Sequence, residues 1–215
     1  MTGLPVAVAE LVGVDYLNEV ARGHWRKTTA KAVTNTTAET DLLNGEISIG
    51  AGAMSTNRVV RLTAWGDWIQ NSGGATGVAQ EFKLKLGATV LLDTAAMGIA
   101  GAEFVSNANR MPWRITAEIM NLGATNSQWA TLLAEIGIVE TSSGVVTRMG
   151  AFTTGEGGWS YPGSTGVNRF ILRALGANTG AVDTTVAQTL ALTVINPTLT
   201  ATCETKLLGA LVEII

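Results

Sequence analysis

The 215-residue chain is long enough to close one hydrophobic core without disulfides or metals. Charged residues make up 14% of it, against roughly 25% in ordinary soluble domains, while 47% are hydrophobic, so its surface is expected to be buried in an oligomer or shell. Net charge is −3 with no basic stripe, which argues against nucleic acid as a partner.

Residues 1–26 differ in character from the rest. Val12, Tyr16, Leu17 and Val20 fall at helical spacing, and Leu4-Pro5 before them reads as an extended lead-in. With Trp25 they form a candidate anchoring arm. A helix this short needs a surface to dock on, either its own domain or a neighbour. The acids Glu10 and Asp15, with no early positive charge, argue against a secretory signal. No apolar stretch reaches the ~18–20 residues of a membrane-spanning helix, so no membrane partner is expected.

From Thr28 onward the chain reads as strands separated by Gly, Ser, Thr and Asn turns. Val59–Ile69 has β-branched and aromatic residues at strand density and leads into Asn71-Ser72-Gly73-Gly74, a turn signal. Trp65 and Trp68 differ in parity and should face opposite ways. Glu81-Phe82-Lys83-Leu84-Lys85-Leu86 alternates without a fault, putting Phe82, Leu84 and Leu86 on one face. Gly87-Ala88 then offers a glycine-first turn into Thr89–Leu92, completing a hairpin. Trp113, Ile115, Ala117 and Ile119 alternate inward. Ser127–Val139 also fits a helical period, and strand is favoured by its neighbours. Gly144–Gly180 reads as long exposed loops around one or two short strands, with Trp159 and Tyr161 as a candidate contact loop. Leu190, Leu192 and Val194 alternate again. In the closing strand Leu207 and Leu211 are placed on one face, and Leu208, Val212 and Ile214 on the other, one face for the core and one for a subunit interface. Eight to ten strands predict an all-β fold, a β-sandwich or jelly roll over residues 27–215, preceded by an arm or short helix over 1–26.

Catalytic chemistry finds little to work with. The one histidine, His24, lies beside Trp25-Arg26-Lys27 and reads as a linker or interface residue, and no GxSxG elbow accompanies it. A single cysteine, Cys203, excludes an intrachain disulfide and a cysteine-based zinc site. Asp67, Asp93, Glu103, Glu118 and Glu135 could supply a glycosidase pair, yet their spacing selects no two of them. No catalytic residue, metal or cofactor is therefore expected. Trp159 and Tyr161 leave open a stacking contact with a glycan.

Asn35–Leu43, with its Thr36-Thr37-Ala38-Glu39-Thr40 core, is followed by Arg61-Leu62-Thr63-Ala64-Trp65-Gly66-Asp67, the Asn71–Gly74 turn and Lys85-Leu86-Gly87-Ala88-Thr89. Later come Pro112-Trp113-Arg114, Asn121-Leu122-Gly123-Ala124, Asp183-Thr184-Thr185 and Gln188-Thr189-Leu190. Taken in order, these resemble a pattern of tailed-bacteriophage virion structural proteins, in which the first of them forms a strand. The resemblance implies a jelly-roll subunit, commonly trimeric, without catalytic residues. It implies a place on the virion exterior, with the chain itself and the major capsid protein or another virion protein as partners. The absence of a coiled-coil shaft favours a capsid decoration or cement protein. A tail-fibre or receptor-binding head that contacts host surface glycans is the alternative.

Overall fold

The computed structural model describes residues 24–71, 76–97, 103–105, 107–140 and 168–215. These contain fourteen strands and no helix. β1 (His24–Lys27), β2 (Lys31–Thr34), β3 (Thr40–Asp41) and β4 (Ser48–Ile49) are short, and β5 (Val59–Gln70) is the first long strand. β6 (Thr76–Val78), β7 (Glu81–Leu86), β8 (Thr89–Asp93) and β9 (Glu103–Val105) lead to β10 (Asn107–Asn121) and β11 (Gln128–Glu140). β12 (Asn168–Gly180), β13 (Gln188–Ile195) and β14 (Cys203–Ile214) close the chain.

Every pairing is antiparallel. The large sheet runs β1-β14-β5-β10-β11-β12, with β2 also on β14; the small sheet runs β3-β13-β7-β8, with β4 also on β13. β6 and β9 form a separate ribbon. The inner faces of the two sheets meet in one β-sandwich-like core. Leu62, Trp68, Ile115, Leu132 and Val212 come from the large sheet, and Phe82, Leu84, Leu190 and Leu192 from the small one. The Phe82 and Trp113 rings bridge the layers with centroids 5.0 Å apart. Each such side chain contributes about 1.5–3 kcal/mol on burial, so alternation specifies which face turns inward.

The alternating segments fold as read. In β5 every even residue is buried, Trp68 among them, while Trp65 points out. β7 and β8 form the hairpin, with Leu86 opposite Thr89 and Gly87 at φ +58°, a conformation suited to glycine. Trp113, Ile115, Ala117 and Ile119 are all buried in β10, and Gln128–Glu140 is a strand.

Four readings are corrected. The Asn35–Glu39 stretch is a loop rather than a strand, with Asn35 at φ +54° and only Thr40–Asp41 paired. There Asp41 accepts from the backbone N–H groups of Leu43 (2.9 Å) and Gly45 (2.7 Å), a local carboxylate turn that competes with strand pairing. In β14, Leu208 is an extra residue, since the pairing slips between Leu207↔Gly66 and Gly209↔Trp65. That bulge reverses the parity, so Leu207 and Val212 share the core while Leu208 and Leu211 face outward. Part of the glycine-rich region is the long strand β12. The sheet begins at His24, so residues 24–26 belong to the folded domain.

A buried polar knot ties one end together. Gln128 donates to Asn121 Oδ1 (2.8 Å) and to the carbonyl of Val182 (3.0 Å), and accepts from the Val182 N–H (2.6 Å). Asn121 donates to the Ser55 carbonyl and to Thr184 Oγ1 (2.9 Å), and Thr184 donates to the Thr125 carbonyl (2.7 Å). Three loops distant in sequence are thus fixed by side chains that satisfy one another.

Candidate interaction surface

The outer face of the large sheet is built from the side chains that the core leaves over. Register sets them in rows across β14, β5, β10, β11 and β12. The middle row is Leu211, Thr63, Thr116, Leu133 and Leu175, none of them charged, and it ends at the sheet edge on Arg26 of β1, opposite Leu211. On one side of it lies the row of Glu213, Arg61 and Glu118, and on the other the row of Trp65, Arg114, Glu135 and Arg173. Leu175 is 76% exposed, Ile171 61% and Trp65 43%, with Leu208 and Trp129 also open. Large apolar groups left in water on one face mark a contact surface more often than a solvated one.

Local sequence explains why they sit there. Gly209 has no side chain, and a Cβ at that position would come within 2.6 Å of the Trp65 ring. The indole therefore lies across β14 at the bulge. Gly176 and Gly180 serve the other edge, since a Cβ would run into Met97 at the first and Leu91 at the second. These glycines mark close approach within a strand, which is why a glycine-rich stretch holds β12.

The charges of this face are mostly paired within it. Arg61 reaches Glu118 at 2.8–2.9 Å, and Arg173 reaches Glu135 at 2.9 Å. Arg110 holds both Asp67 (2.6 Å) and Glu204 (2.6 Å), and Thr34 donates to Glu204 at 2.8 Å. For Glu204, partial burial opposes ionisation, but the Thr34 and Arg110 hydrogen bonds outweigh it and hold the carboxyl below its usual range. The Arg110 guanidinium is likewise held protonated by Asp67 and Glu204 against its own desolvation. These ionisable groups stitch strand to strand.

The sequence candidates fall as follows. Val12, Tyr16, Leu17 and Val20 lie outside the described residues, as do Trp159 and Tyr161. Trp25 is in β1, partly buried against the domain's own core. His24 sits 3.8 Å from Glu213. Of the five carboxylates weighed for catalysis, Asp67, Glu118 and Glu135 pair with arginines on this face, Asp93 faces Lys83 on the small sheet, and Glu103 is in β9. Cys203 is buried. Sequence reasoning missed Ile171 and Leu175; the Ile171-Arg173-Leu175-Ala177 parity was the available signal, hidden by Gly176 and Gly180. Compared with protein-family models, curated proteins and solved structures, the chain matches none.

Proposed function

We propose that the chain is a non-enzymatic structural protein of a tailed-phage virion exterior, packing against copies of itself and against a larger assembly as a capsid decoration or cement protein. The observation that supports this reading is the outer face of the large sheet, where Leu175, Ile171 and Trp65 stand in solvent beside ion pairs already neutralised among themselves. Covering such a face buries apolar area and leaves few charges without a partner. Several residues that carry the phage resemblance also hold the fold. Gly87 and Gly123 make turns at positive φ, Asn121 and Thr184 belong to the polar knot, and Asp183 accepts from Thr185 at 2.9 Å.

In this reading the sandwich is a jelly-roll. The chain passes from β5 in the large sheet to β7 and β8 in the small one, back to β10–β12, across to β13 and back to β14. The homo-oligomer bridges neighbouring capsid proteins. The segment before His24 adds a second point of attachment, so weak contacts sum. Gold-labelled antibody against the protein, applied to intact particles, tests the proposal. Label over the head is expected. Label confined to the tail would replace decoration with a receptor-binding head, and unlabelled particles would overturn the virion role.

A further inference from the structure

We infer that two copies of the chain pair face to face through the large sheet, about a two-fold axis lying along the Leu211-Thr63-Thr116-Leu133-Leu175 row. This rests on the self-association part of the proposed function, and gives it two-fold symmetry in place of the trimer that the resemblance implies. The argument is complementarity of the face with itself. A two-fold along the middle row lays its uncharged part, from Leu211 to Leu175, on its own copy, with Arg26 at the β1 edge outside the paired strands. It also brings the row on one side of the axis over the row on the other side in the partner.

Those two rows are opposite in charge. Glu213, Arg61 and Glu118 sum to −1, whereas Arg114, Glu135 and Arg173 sum to +1. The match holds strand by strand near the centre. On β10, Glu118 lies two residues from Thr116 in one direction and Arg114 two residues in the other, so each Glu118 meets the second copy's Arg114. On β5, Arg61 and Trp65 flank Thr63 in the same way, and the Trp65 indole, lying over Gly209, adds apolar surface to the pairing. The Glu118–Arg114 contact needs no buried charge to lose its partner. Aligned sheets twist about 30° against each other, so the fit is strongest around Thr116.

Size agrees. Five strands about 4.8 Å apart, over five rows about 6.8 Å apart, give a face of roughly 800 Å², and a standard interface buries about 800 Å² per partner. A cyclic trimer would use such a face differently, joining the β14 side of one copy to the β12 side of the next, and would not place Glu118 on Arg114.

Sedimentation equilibrium of the full chain over a concentration series tests this, with Arg114→Glu and Glu118→Arg as variants. The wild type is expected to fit a two-chain mass. Each single variant should weaken pairing at least tenfold, because like charges then meet twice across the axis. An equimolar mixture of the two variants should recover it, since every facing pair is again opposite. Unchanged pairing of the variants, or a mixture that fails to recover, overturns the inference. A three-chain wild type also overturns it while leaving self-association intact, and a one-chain wild type removes both. If a variant does not fold by circular dichroism, Thr116→Cys serves instead. Thr116 lies on the axis and packed sheets stand about 10 Å apart, so a bis-maleimide of about that span should join two chains, Cys203 being buried. Absence of that product overturns the inference equally.

Discussion

The two sheets carry the same kind of inner face and opposite kinds of outer face. On the small sheet the outward positions of β7 are Glu81, Lys83 and Lys85. Lys83 sits 2.8 Å from Glu81, 3.6 Å from Glu39 and 3.7 Å from Asp93, and Lys85 lies 2.8 Å from Glu39. That is a lattice of charge suited to water. On the large sheet the outward positions instead leave Trp65, Trp129, Ile171 and Leu175 exposed between ion pairs. Folding needs only the inner faces, so the difference between the outer ones is the basis of the proposed self-association. One presents a network of ion pairs to water, and the other leaves large apolar side chains exposed.

The largest expected effect falls on both sheets alike. Phe82→Ala removes the ring that spans the layers to Trp113 and should cost about 3–5 kcal/mol, read from the urea midpoint. Gln128→Leu should cost about 3 kcal/mol in the same assay, because the Val182 N–H and Asn121 lose their buried partner. Lys83→Met on the solvated face should cost no more than about 1 kcal/mol, the range of exposed ion pairs. Its signature is pH-dependent. The Lys85 hydrogen bond is the chief cause that holds Glu39 below its usual pKa, so that pair contributes fully above the ordinary carboxylate value. The contribution fades as pH falls through the lowered folded value. Lys83, raised by its bond to Glu81, contributes below the ordinary lysine value and loses that as pH rises through its raised one. Lys85→Met should flatten the acid limb of a stability–pH profile, and an unchanged limb would remove Glu39 from the account. The smallest effect is expected for Leu175→Asp, within about 0.5 kcal/mol on unfolding of the single chain, since its side chain is already in water. Its consequence should appear in association alone.

Much of this was legible in the sequence wherever one parity is apolar and the other polar. Glu81–Leu86, Val59–Gln70 and Leu190–Val194 could be read directly, because a one-residue slip in any of them would put charge or polarity into the core. Leu207-Leu208-Gly209-Ala210-Leu211-Val212 could not, since it is apolar at both parities and nothing in the pattern selects the bulge at Leu208. Only the packing of Trp65 over Gly209 does so. β12 was obscured for a related reason. Gly176 and Gly180 look like turn signals, yet each is a strand glycine that admits a side chain from elsewhere in the chain. The Asn35–Glu39 loop misled in the opposite sense, its threonines suggesting a strand that the Asp41 turn interrupts. The candidate surface was foreseen only as an apolar outer face of the last strand; its centre lies on β10 and β11, and its rows exist only once the register is known.

Hydroxyl-radical footprinting of the full chain at increasing concentration tests the contrast between the faces most directly. Trp65, Trp129 and Leu175 on the large sheet, and Val90 opposite Lys85 on the small sheet, are all exposed in the single chain. The account predicts that oxidation of the first three falls as concentration rises while Val90 stays reactive. Equal reactivity of all four at every concentration would contradict it.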